Sequence, residues 1–168
     1  MSLLEEIINN PAKIVLAAIL VDIVAVVLAR NDLIGVVIKD WYNTFNLGAF
    51  VADVSSMLFG LFLALILFKF SFPPEWFNIG TFLLSVVIIQ LIHDITFAYV
   101  IKKTPEEKNN MVDMFKRYID ENNWKILLVD AIMMIGCVLL TFLFFFFDNS
   151  IIYMLMALAL YLVQFFLY

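Results

Sequence analysis

Five apolar stretches, each about as long as a membrane is thick, constrain the fold of this chain more than any other feature. They run over 12–30, 47–70, 76–101, 124–147 and 151–168. A helix needs about 20 apolar residues to cross the hydrocarbon core of a bilayer. The chain is 65% hydrophobic and 15% charged, with a mean hydropathy of +1.03, which is far more apolar than a soluble domain. The sequence therefore predicts an all-α integral membrane protein, a single transmembrane domain over 1–168 with five spanning helices, the fifth of them short.

Helix-breaking residues between the stretches support these boundaries. Pro11 suits the first turn of a helix, and "SFPPE" at 71–75 separates the second stretch from the third. "DNS" at 148–150 turns the chain into the fifth stretch, with Ser150 as the candidate N-cap. The acidic start "MSLLEEIINNPAK" is unlike the basic start of a signal peptide, so we expect the first stretch to be a retained helix.

Two longer connections have the composition of interfacial segments. Segment 31–46 mixes aliphatic and aromatic residues, and segment 104–120 opens with "TPEE", in which Thr104 is a candidate N-cap and Glu107 would close a capping box. Apolar residues then recur on one helical face, which predicts an amphipathic helix on the membrane surface, or alternatively one packed on a partner or on the end of the bundle. Five aromatic residues at expected interfaces are interpreted as anchors: Trp41, Tyr42, Trp76, Trp124 and Tyr168.

The basic residues are divided unequally between the two sides of the membrane. With five spans, one side receives the loops 31–46 and 102–123 together with the C-terminus. That side carries eight of the ten basic residues: Arg30, Lys39, Lys102, Lys103, Lys108, Lys116, Arg117 and Lys125. The other side has Lys13 and Lys69. The positive-inside rule therefore predicts a cytoplasmic C-terminus and an N-terminus that is outside or luminal.

Each of the first four apolar stretches carries one aspartate, and the four lie at one depth. They are Asp22, Asp53, Asp94 and Asp130, each six to eight residues from the predicted cytoplasmic end of its helix. At a rise of about 1.5 Å per residue, this places all four carboxyl groups roughly 9–12 Å beneath the interface. A charge at the centre of a membrane costs about 2.5–3.5 kcal/mol on insertion scales, and ionisable residues there are candidates for function. The sequence thus predicts a buried acidic layer.

Small and polar residues share helical faces with these aspartates, which favours burial of those faces inside the bundle. They are Ala18, Ala25 and Ala29 in the first stretch, Ser56 and Gly60 in the second, Gln90 in the third, and Cys137 and Thr141 in the fourth, where Met134 continues the face of Asp130. Four ionised carboxylates would repel one another at low dielectric. We therefore expect them to be protonated, neutralised by a cation, or hydrated from the cytoplasm.

Three functional interpretations fit this layer. The first is a site that binds or translocates a small cation or a proton, because carboxylate, amide and hydroxyl oxygens are hard ligands. Its predicted residues are Asp22, Asp53, Asp94, Asp130, Gln90 and Ser56, with His93, Ser55 and Thr96 as accessory residues. The second is a non-catalytic structural protein in which protonated aspartates form interhelical hydrogen bonds, each worth about 0.6–2 kcal/mol. The third is catalysis by paired aspartates, or by a metal held by aspartate and His93.

Cofactor and partner signals are otherwise absent from the sequence. The spans contain no retinal-type lysine, and no glycine-rich phosphate loop appears, so the expected ligand is a small cation or proton without another cofactor. The net charge of −5 and the lack of a basic tail argue against nucleic acid. The expected partners are the lipid bilayer and either a second copy of the chain or another membrane protein.

Three segments resemble uncharacterised multi-pass membrane proteins of large nucleocytoplasmic DNA viruses. They are "DWYNTFNLGAFVADVSS" at 40–56, "HDITFAYVIKK" at 93–103 and "DMFKRYIDENNWKILLVDAIMM" at 113–134. The resemblance covers about residues 40–134, contains no catalytic motif and supplies no functional residues. It implies residence in a virion or a host-derived internal membrane, and it favours the structural interpretation.

Overall fold

The computed structural model describes residues 2–168, and within this range the chain forms eight α-helices, one 3₁₀ turn and no β-strand. The helices are α1 (Leu3–Asn9), α2 (Pro11–Arg30), α3 (Val36–Phe45), α4 (Leu47–Ser71), α5 (Ile79–Lys103), α6 (Asn110–Asn122), α7 (Lys125–Phe144) and α8 (Asn149–Leu167), with the 3₁₀ turn at Pro74–Trp76. Among these residues, five helices are long and apolar enough to span a membrane: α2, α4, α5, α7 and α8. The prediction of an all-α bundle with five spanning helices is confirmed.

Helices α2 and α5 begin with ordinary start signals, whereas α8 begins earlier than predicted. Pro11 occupies the first turn of α2, where its missing N–H leaves no hydrogen bond unmade. Asn78 caps α5 by accepting a hydrogen bond from the Thr81 N–H at 3.0 Å. The N-cap of α8 is Asp148, so the prediction of Ser150 was wrong. The helix begins two residues earlier, and Ser150 is already inside its first turn.

The second interfacial segment begins later than the sequence pattern suggested. Thr104 ends α5 instead of starting a helix, since its N–H donates to carbonyl oxygens of that helix. A residue that precedes proline is disfavoured in the helical region, and Thr104 is extended before Pro105. The predicted capping box of Thr104 and Glu107 was therefore wrong. Helix α6 is capped by Asn109, whose side chain accepts from two backbone N–H groups at the helix start.

The four aspartate-bearing helices form a closed ring in which α2 packs on α4, α4 on α5, α5 on α7 and α7 on α2. Helix α8 packs outside the ring and parallel to α2. At one end the Asn149 Nδ2 donates to the Asn10 Oδ1 at 3.1 Å, and at the other the Arg30 guanidinium donates to the carbonyl oxygen of Leu167. Helix α2 is the most buried of the five candidate spans.

Helices α3 and α6 cover one end of the ring and contact each other there. We call it the basic end, because the topology gathers there the same eight basic residues that the sequence assigns to one side. Ion pairs fasten the two covering helices. Arg117 of α6 lies 3.3 Å from Asp40 of α3, and Lys102 of α5 lies 3.6 Å from Asp120 of α6. The structure thus places α6 against the end of the bundle, one of the alternatives that its amphipathic pattern allowed.

Candidate functional site

A cavity of about 760 Å³ lies inside the basic end, between α4, α5 and α7 and beneath α3 and α6. Its volume is within the range of about 300–1,000 Å³ that is typical of ligand sites. The cavity is lined by seven of the nine predicted site residues: Asp53, Ser55, Ser56, Gln90, His93, Asp94 and Asp130. Asp22 and Thr96 are not among its lining residues. Three of the four aspartates, from three different helices, therefore face one space.

Burial of the aspartate-bearing faces is confirmed by the residues around them. Ala18, Ala25 and Ala29 on α2 are at most 8% exposed. Met134, Cys137 and Thr141 on α7 are at most 1% exposed, and the Cys137 thiol packs 3.7 Å from the Met57 sulfur. A side-chain carbon added at Gly60 would meet Met134 and Gln90 at 3.0 and 3.4 Å, so α4, α5 and α7 approach closely at this glycine.

Asp53 is held by an aromatic residue that the sequence analysis placed at the lipid interface. The Trp41 indole N–H donates to the Asp53 Oδ2 at 2.9 Å. Trp41 is only 3% exposed, because its ring packs on Phe45 and on Phe115 of α6. Its interpretation as a membrane anchor was therefore wrong, and Trp41 instead joins α3, α4 and α6 at the cavity wall.

Asp22 lies outside the cavity, and Tyr42 stands between the two. The Tyr42 hydroxyl donates to the Asp22 Oδ1 at 3.0 Å, and both residues are at most 1% exposed. Tyr42 also lines the cavity, so its interpretation as an interfacial anchor was wrong as well. Burial, reinforced by the charges of Asp53 and Asp22, raises the pKa of Tyr42 well above its ordinary value. Its hydroxyl thus remains a proton donor.

Asp94 is the best-connected carboxylate of the cavity, and it still has a free oxygen. The Gln90 Nε2 donates to the Asp94 Oδ1 at 2.7 Å, as their shared helical face allows. The His93 Nδ1 lies 3.1 Å from the same oxygen, and its ring stacks on Phe97. Among the described residues, neither the Asp94 Oδ2 nor the Gln90 Oε1 has a hydrogen-bond partner. Gln90 is 4% exposed and the Asp94 side chain 10%. Both orphan atoms are acceptors at a cavity wall.

Asp130 completes the acidic part of the cavity from α7. It interacts electrostatically with both Asp94 and Asp53. Tyr118 of α6 lies in the same field: burial raises the pKa of its hydroxyl, and the charges of Asp130, Asp53 and Asp94 add to the increase. The three carboxylates therefore interact as one group, although they come from three different helices, α4, α5 and α7.

No group of three or more His, Cys, Asp or Glu side chains within residues 2–168 is arranged to hold a metal ion. Within the cavity, hydrogen bonds from Trp41 and Gln90 hold two of the carboxylates, those of Asp53 and Asp94.

The fold and the site together fit one class, that of multi-pass membrane proteins, with an acidic cavity beneath one end of the helix ring. Comparisons with protein families, characterised proteins and solved structures find no match for this chain. The resemblance of residues 40–134 to viral membrane proteins stays a prediction.

Proposed function

We propose that this membrane protein binds a cation or a proton at the carboxylates of the cavity and passes it across the membrane. The observation that carries the proposal is the convergence of Asp53, Asp94 and Asp130 on one cavity, where the Asp94 Oδ2 and the Gln90 Oε1 lack partners among the described residues. Buried acceptors without donors are costly, and a cation or a proton would satisfy them.

The charges around the cavity support the same conclusion. Among its described lining residues, Lys102 is the only lysine or arginine, and it forms an ion pair with Asp120 on α6. Three carboxylates at low dielectric are stabilised by added positive charge. The positive-inside rule favours a cytoplasmic position for the basic end, which supports a site that opens toward that side.

The test is cation and proton uptake by proteoliposomes that contain the protein. We expect Asp94→Asn and Asp130→Asn each to reduce uptake, because each removes a cavity charge while keeping the size of the side chain. Asp148→Asn is the matched control, since Asp148 is exposed at the opposite end and its side chain makes no capping hydrogen bond. The proposed function would be refuted if a variant with both Asp94→Asn and Asp130→Asn took up protons, Na⁺ and K⁺ as the parent protein does.

A structural role is the second candidate, and a specific observation favours it for two of the aspartates. The hydrogen bonds from Tyr42 to Asp22 and from Trp41 to Asp53 fasten α3 across α2 and α4. The implied residence in a viral or host-derived membrane suits this role. It predicts that Asp22→Asn lowers the unfolding temperature whereas Asp130→Asn does not. Equal stability of both variants and the parent protein would contradict it.

A further inference from the structure

The size and the wall of the cavity point to a ligand larger than a bare ion. Small cations bind in cages of oxygen atoms at about 2.0–2.6 Å. A cavity of about 760 Å³ exceeds the needs of such a cage, and its walls are mainly aliphatic and aromatic. Among the described residues no group of three or more metal-ligating side chains is gathered there, and a few polar groups on an apolar wall suit a ligand with one charge and a large apolar body.

The aromatic residues stand around the acidic part of the wall from several helices. They are Trp41, Tyr42, Phe59, Phe97, Phe115, Tyr118 and Trp124. The Phe115 ring lies 4.7 Å from the Trp41 ring and 5.2 Å from the Phe97 ring, so helices from both sides of the cavity contribute to one aromatic cluster. Aromatic faces attract organic ammonium-type cations, most strongly where water is excluded.

The polar atoms supply the complementary charge. The Asp94 Oδ2 and the Gln90 Oε1 are buried acceptors without partners among the described residues, and the Asp130 carboxylate lies in the same cavity. Lys102 also lines the described part of the cavity, but its ammonium group forms an ion pair with Asp120. The remaining lining atoms therefore favour a positive ligand over a neutral or negative one.

From these observations we infer that the cavity binds an amphipathic organic cation, a positively charged centre on an aromatic or alkyl body. This inference rests on the proposed function and assigns the ligand class of the same site. The charged centre pairs with Asp94 and Asp130, and the body packs against Trp41, Phe97 and Phe115.

The experiment uses tetraphenylphosphonium as the probe and tetraphenylborate, an anion of the same shape, as its control. Binding to the purified full chain in detergent is measured by equilibrium dialysis. We expect saturable binding of the cation and none of the anion. Asp94→Asn and Asp130→Asn should each weaken it by about 10-fold or more, because each removes a carboxylate whose negative charge attracts the cation. Asp148→Asn should leave it unchanged.

A second variant tests the space of the cavity instead of its charge. Ala98 lines the cavity and is half-buried, so Ala98→Phe fills part of the volume and retains every carboxylate. We expect this variant to lose tetraphenylphosphonium binding while its helical circular dichroism stays native. If tetraphenylphosphonium still binds to Ala98→Phe, the probe binds outside the cavity and the inference is overturned.

The outcomes separate the ligand class from the proposed function. If the asparagine variants change proton, Na⁺ or K⁺ uptake but not tetraphenylphosphonium binding, the organic ligand is refuted and the cation site remains. If they change neither uptake nor binding, both proposals fail. Equal binding of the phosphonium and the borate would also overturn the inference, because partition into the apolar wall would then explain both.

Discussion

Replacing Tyr42 by phenylalanine should destabilise the bundle without disturbing its packing. Tyr42 is 1% exposed and Asp22 is 0% exposed, and their hydrogen bond is 3.0 Å long. The Asp22 Oδ2 already lacks a partner among the described residues, so the variant leaves both oxygens without one. A buried polar group without its partner costs about 1–3 kcal/mol, and single hydrogen bonds in membrane bundles are worth about 0.6–1.7 kcal/mol. We therefore expect a loss of about 1–2 kcal/mol in the free energy of unfolding.

The assay is a double-mutant cycle in detergent, with Tyr42→Phe, Asp22→Asn and the pair, followed by tryptophan fluorescence, to which the neighbouring Trp41 contributes. The coupling energy reports the charge of Asp22, because hydrogen bonds to ionised groups are worth about 1.5–3 kcal/mol and neutral ones about 0.5–1.5 kcal/mol. Tyr153→Phe is the control: this ring is 56% exposed on α8, and we expect a change below about 0.5 kcal/mol. A Tyr42→Phe loss no larger than that of the control, or a coupling near zero, would refute the reasoning.

Three further predictions concern stability. The pKa of Tyr42 is raised in the folded chain, so the stability that its neutral hydroxyl contributes is fully present below a pH of about 10 and is lost as the pH rises further. Unfolding midpoints measured between a pH of about 9 and 11 should therefore fall less steeply in Tyr42→Phe than in the parent protein. Asn78→Ala should lower the free energy of unfolding by about 0.5–2 kcal/mol in a thermal melt, because it removes a helix cap. Asp148→Ala is its control and should lower it by less than about 0.5 kcal/mol, because Asp148 begins a helix without a side-chain cap bond. Gly60→Val should cost about 1–3 kcal/mol by overpacking against Met134, and a melting temperature equal to that of the parent would contradict this.

The spanning helices were predictable because a single property, the length of each apolar run, determines them. Pro11 and the "SFPPE" break also marked their boundaries, because proline has no backbone N–H to donate inside a helix and is tolerated only in its first turn. Counting along each helix predicted one depth for the four aspartates. Depth does not give the direction in which a side chain points, however, and this is why Asp22 lies apart from Asp94 and Asp130 in the structure.

The parts that could not be predicted depend on contacts between distant segments. Trp41 and Tyr42 carry both an apolar ring and a donor, so they suit a membrane interface as well as a buried carboxylate. The position of α3 across the ring decides between the two environments. The pattern at Thr104 was ambiguous in the same way, because a threonine before a proline can end one helix as readily as it can begin another.

The packing of α8 on α2 has a consequence for how the protein is made. Helix α2 leaves the ribosome before α4, α5, α7 and α8, yet α7 and α8 are the helices that cover it. The intervening helices are synthesised while one side of α2 still faces lipid or an insertion factor. Tyr42 follows Asp22 by only twenty residues. It can therefore give this carboxyl group a partner before α7 and α8 are synthesised.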